Sequence, residues 1–186
     1  MRCLRRLGIP ALLTLLVGCG NHDLVLRVDI LSFTRELQST VPVAAPAVPG
    51  GFATGEQALV ADQEVNLVEG IGDAVTVKDV SLRIQTVATG ITGSGTDTLR
   101  VYAGDSGTPP RSNAPVLTQI LTFAAGTSDT ATTLISQNAQ LIQLFAGSSL
   151  RVAITTSARG PTAGSALSGT LRVTAMDAVV VTGRKL

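Results

Sequence analysis

From Asn21 onward, apolar residues recur at every second position, with Thr and Val filling many of the places between. A period of two sorts side chains onto the two faces of a strand, so such a chain must build sheets that each bury one face. Leu24, Leu26, Val28 and Ile30 alternate first, and alternation resumes over 58–67. Further strands are predicted at 98–103, 116–124, 150–156 and 167–181. Val75 and Val77 are out of phase with Val80, Leu82 and Ile84, which places a bulge or a break at Lys78-Asp79. The stretch 41–51 contains Pro42, Pro46 and Pro49, which lack a backbone donor, and it reads as a long crossing loop.

One short helix is predicted over 137–146, where Leu141, Leu144 and Phe145 fall at helical spacing between Ser136 as a cap and Gly147 as a stop. About eight strands joined by Gly, Ser and Thr-rich turns, with no long helices for parallel crossovers, give the expected fold. It is an all-β, antiparallel β-sandwich of jelly-roll or Greek-key type, carried by residues 24–186 as a single domain. The runs Ser81-Leu82-Arg83 to Thr98-Leu99-Arg100 and Ser149-Leu150-Arg151 to Thr170-Leu171-Arg172 echo each other. They read either as a duplicated hairpin with its arginines on equivalent solvent faces or, more simply, as the limited vocabulary of strands.

The chain of 186 residues has 14 basic and 13 acidic side chains, a net +1 that is too balanced to track a phosphate backbone, so no nucleic-acid partner is expected. Its first eighteen residues do not follow the strand pattern. Arg2, Arg5 and Arg6 precede an apolar run over 7–17, after which the chain turns polar, as in a secretory signal. A membrane span needs about 20 apolar residues for a hydrocarbon core of about 30 Å, and this run, interrupted by Pro10, is too short.

Leu16-Val17-Gly18-Cys19 closes the run and resembles the lipobox of bacterial lipoproteins. The resemblance covers residues 1–19 and implies a signal peptide at 1–18, a lipid on the Cys19 thiol, and a tether over 19–23. The alternatives are an ordinary cysteine in a buried helix or a conventional cleavage site nearby, although no Ala-x-Ala motif is present. Processing before Cys19 would remove Cys3 and three arginines, leaving 11 basic against 13 acidic residues and no free thiol or disulfide. Gly20, in the position where aspartate commonly retains lipoproteins at the inner membrane, implies the outer membrane, facing the periplasm or the cell surface. The expected partners are the membrane, through the lipid, and another envelope protein.

Candidate chemistry is sparse. Gly104-Asp105-Ser106-Gly107 resembles the nucleophile motif of chymotrypsin-like proteases, but Thr108-Pro109 departs from that family's continuation. The only histidine, His22, belongs to the tether, so no base is available to Ser106 and the motif reads as a polar turn. One histidine and no free cysteine exclude the usual zinc shells. Asp62, Glu64, Glu69, Asp73, Asp97 and Asp105 offer oxygens that leave calcium open, but their spacing matches no EF-hand loop and isolated loop acids are more often solvated, so no metal or cofactor is assigned. With no Trp, one Tyr and four Phe, stacking platforms for glycans are few, and Tyr102 is expected to pack at a strand end with its hydroxyl in water. Gly93-Ser94-Gly95 precedes no helix and offers no phosphate cradle.

The strand at 116–124 is apolar on both faces: Val116 and Ile120 point one way, Leu117, Leu121 and Phe123 the other. Either the short helix covers the second apolar face or that face receives a partner or lipid, which makes Leu117, Leu121 and Phe123 the candidate partner-binding residues. The function expected from sequence is a non-catalytic, lipid-anchored structural or protein-interaction module of the envelope. The alternative is a carrier or sensor of a small apolar or glycan ligand.

Overall fold

The computed structural model describes residues 23–33, 40–66, 75–126, 130–135, 139–147 and 149–184. Among them the elements run β1 (Leu24–Asp29), β2 (Val41–Ala45), β3 (Gln57–Asn66), β4 (Val75–Thr92), β5 (Gly95–Gly104), β6 (Leu117–Phe123), β7 (Thr130–Ile135), α1 (Ala139–Phe145), β8 (Ser149–Arg159) and β9 (Leu167–Arg184). Every ladder is antiparallel. Sheet A has the order β1-β9-β4-β7 and sheet B the order β3-β8-β5-β6.

β1 pairs with the C-terminal half of β9 and β2 with its N-terminal half, so the two form successive segments of one edge. The long β4 and β9 lie side by side in sheet A, and their continuations β5 and β8 lie side by side in sheet B. A ribbon of paired strands thus folds from one sheet into the other, which is the double Greek key of a jelly roll. The echoing Arg segments are not joined in hairpins, because β4 and β5 lie in different sheets, as do β8 and β9.

Between the sheets lie Leu82, Ile84, Leu99, Ile154, Leu171 and Val180, each at most 2% exposed. Burying a side chain of this size contributes roughly 1.5–3 kcal/mol, and this layer is the main source of stability. The phase change in β4 is a bulge between Val77 and Asp79, which lets both Val77 and Val80 face inward.

The stretch at 41–51 differs from expectation. Val41, Val43 and Ala45 are buried in β2, and Pro42 stands opposite Thr170 on the outward side. An edge strand has a free side where no ladder donor is needed, so proline is tolerated there. The two sheets meet at the turn between β4 and β5, where Gly93 has φ +70° and a Cβ would sit 2.0 Å from the Ala166 carbonyl oxygen.

α1 follows β7 and inserts Leu141 and Phe145 between the sheets, packing against β4, β5 and β8. Its end is closed by Ala146 and Gly147, whose N–H groups donate to the Ile142 and Leu144 carbonyls. The helix therefore plugs the interior and does not lie over β6. Leu117, Leu121 and Phe123 are buried too, at 9%, 8% and 4% exposure, on the core side of β6. This corrects their assignment as a partner-binding face. The outward apolar residue of that strand is Ile120, which is 60% exposed. Among the described residues, no helix is long and apolar enough to cross a membrane.

Candidate functional site

On sheet B, alternation turns Arg100 and Tyr102 of β5 outward, and the β5–β8 register sets them opposite Thr155 and Ala153. Ala58 at the start of β3 pairs with Thr155, so Glu56, two residues earlier, reaches over the same face. The connection from β5 to β6 then folds back across it. A 3-10 turn at Pro110–Ser112 buries Pro110 and packs on β5 and β8, and the Asn113 side-chain amide donates to the Ala103 carbonyl at 3.2 Å.

Three segments distant in sequence thereby converge on one carboxylate. Arg100 Nη1 lies 3.2 Å from Glu56 Oε1, and Arg111 Nη2 lies 3.4 Å from Oε2. The Tyr102 hydroxyl donates to the same carboxylate at 3.2 and 3.4 Å, and the Thr155 hydroxyl donates to Oε2 at 3.1 Å. Arg100 also donates to the Ser157 hydroxyl at 3.3 Å. Glu56 and Arg100 are each 29% exposed, while Tyr102 is 8% exposed and Thr155 fully buried, so the cluster has a dry floor and a wet rim. Two guanidinium groups around one carboxylate leave a local excess of one positive charge. Further along the face, Arg151 grips Asp62 in a bidentate pair at 3.0 and 2.6 Å.

Chemically, this arrangement holds a carboxylate and neutralises it. It clamps the segment before β3 and the β5–β6 connection to the sheet. The Tyr102 hydroxyl is not in water, as the sequence suggested, but on Glu56. Sequence reasoning missed Glu56, Arg111 and Thr155. The outward phase of Arg100, Tyr102 and Thr155 was legible in the alternation, but their adjacency depended on which strands pair.

The other candidates are dispersed. Ser106 is exposed in a turn in which the Gly107 N–H donates to Asp105 Oδ1 at 3.0 Å, so Asp105 organises the backbone. Asp62 is committed to Arg151, and Asp97 is buried between the sheets. Glu64 is exposed on β3. Cys19, His22, Glu69 and Asp73 lie outside the described residues. Among the described residues, no group of three or more His, Cys, Asp or Glu side chains is placed to hold a metal ion. Gly93-Ser94-Gly95 is the sheet-crossing corner.

No family model matches the chain, and no curated protein matches it. Among solved structures, the chain aligns with infectious bursal disease virus, Gx strain, at 10% identity and a TM-score of 0.37, over 78% of this chain and 33% of that one. It aligns with T=1 particles derived from infectious bursal virus at 10% identity and a TM-score of 0.34, over 97% of this chain and 44% of the other. The chain thus spans less than half the length of either structure.

Proposed function

We propose that this chain is a lipid-anchored, non-catalytic protein of the cell envelope, held through Cys19 at the outer membrane and working as a structural or protein-interaction module. The observation that carries this reading is the basic, then apolar leader ending in Leu16-Val17-Gly18-Cys19. The position of β1 adds a geometric consequence. Leu24 begins the first strand five residues after Cys19, and an extended chain reaches at most about 3.6 Å per residue, or roughly 18 Å. Leu24 pairs with Thr182, Asp23 bridges to Lys78, and Val75 pairs with Arg184, so these residues share one end of sheet A. That end faces the membrane when Cys19 is acylated.

Among the described residues, an apolar void lined by Ile30, Leu82, Leu141, Phe145, Leu150 and Met176, among others, has a volume of about 10 Å³. That is room for one water-sized sphere and for no larger ligand.

Metabolic labelling with a fatty acid in a bacterial host tests the anchor. The wild-type chain is expected to carry label and fractionate with membranes, while Cys19→Ala accumulates as an unlabelled precursor. Undiminished acyl labelling of Cys19→Ala would overturn the reading.

A further inference from the structure

Asp97 is the only charged side chain buried among the described residues, with 0% exposure. It projects from β5 into the space between the sheets, opposite Leu121 on β6 and Ala158 on β8, two residues after Gly95 at the sheet-crossing corner. Its Oδ2 is hydrogen-bonded to the Thr156 hydroxyl on β8, and its Oδ1 has no partner. A carboxylate needs several donors to replace lost water; the Thr156 hydroxyl is helped by the backbone N–H groups of Ser157 and Thr98, yet Oδ1 stays unpaired.

Among the described residues, no titratable side chain faces Asp97 across the core. β6 contains none, the buried side chains of β4 and β9 are apolar or Thr, and Arg151 and Arg159 of β8 point outward. The charge that acts on it is Arg100, on the outward side of its own strand, and this favours the ionised form. Burial acts in the opposite direction and is the stronger influence, so the carboxyl is pushed above the ordinary aspartate value despite Thr156, the Ser157 and Thr98 backbone N–H groups and Arg100.

We propose that Asp97 is a proton-operated latch on the corner where β5, β6 and β8 enter sheet B. As a neutral acid it has an O–H to share with Thr156 and leaves a carbonyl oxygen that is tolerable among apolar neighbours. When it ionises, its proton passes to solvent and a charge with one unpartnered oxygen remains between Leu121 and Ala158, which favours local opening to water. The sign follows from linkage. A carboxyl raised by folding contributes stability that is fully present below the unfolded aspartate value and is lost as pH rises through the folded value. Across that window, one proton changes the folding constant by up to tenfold per pH unit. The domain thus tightens in mild acid, the reverse of a salt-bridged aspartate.

The test uses the full chain in detergent micelles. The carboxyl ¹³C shift of Asp97 in the wild-type chain should titrate above the ordinary aspartate range, a measurement that needs no variant to fold. Denaturation of wild type and Asp97→Asn across pH 4–8 should show the variant gaining relative to wild type as pH rises, then levelling off. Amide exchange, taken relative to intrinsic rates, should accelerate with pH over 95–99, 120–123 and 156–159 in wild type but not in Asp97→Asn. A titration at or below the ordinary range overturns the proposal. So does a stability ratio that does not change with pH, or exchange that changes equally over 177–182.

Discussion

On the outward side of sheet A, Arg27 meets Asp177 at 2.8 Å and Thr89 meets Thr170 at 2.7 Å, each pair isolated on strands already held by a ladder. On the outward side of sheet B, Arg100, Tyr102, Arg111 and Thr155 all converge on Glu56, and loops fold over them. The residue types are similar, but the surroundings are not. A cross-strand pair left in water exchanges hydration for a contact of nearly equal worth, whereas a cluster with a buried floor has lost its water and depends on its partners. Polar residues on sheet A decorate the surface, while those on sheet B hold segments in place.

The corner shared by both sheets should be the most sensitive point. Gly93→Ala puts a methyl 2.0 Å from the Ala166 carbonyl oxygen at φ +70°, while Gly126→Ala meets nothing within 4 Å at φ +79°. Conformation alone is expected to cost Gly126→Ala about 1–2 kcal/mol. Added collision should take Gly93→Ala to about 3 kcal/mol or more. Urea denaturation of the two variants in parallel checks this, and equal losses would show that close approach at the corner contributes nothing.

Glu56→Gln keeps the shape of the cluster but removes the charge that two arginines surround. The expected loss is about 1–3 kcal/mol, with faster proteolysis within 105–113. An unchanged denaturation midpoint would place this cluster in the same class as the pairs of sheet A. The smallest effect belongs to Arg27→Ala, for which no measurable change in midpoint is expected at physiological salt, since its side chain is 56% exposed. A clear loss there would erase the contrast between the two faces.

Much of this fold was legible in the sequence. Alternation located β1, β3, β4, β5, β6, β8 and β9, and Leu141 and Phe145 marked the helix. β7 escaped because Thr130, Ala131, Thr132 and Thr133 give little apolar contrast between successive positions. β2 was obscured by Pro42, whose missing donor matters only where a second strand would pair. The candidate site was less visible, because Glu56 and Thr155 are 99 residues apart and meet only when β3 and β8 pair.

The strands and the sandwich class follow from the sequence itself, since a period of two is a local property that any short window displays. The basic, then apolar run that ends at Cys19 is local in the same sense. Which side of a strand turns inward is decided elsewhere. β6 is apolar on both sides, and only its pairing with β5 put Leu117, Leu121 and Phe123 in the core and left Ile120 outside. The same pairing buried Asp97 beside Leu121, while Glu56, an equally unremarkable acid in the sequence, gathered four donors. Strand neighbours are set by contacts between distant segments, and burial and charge environment exist only after those contacts form.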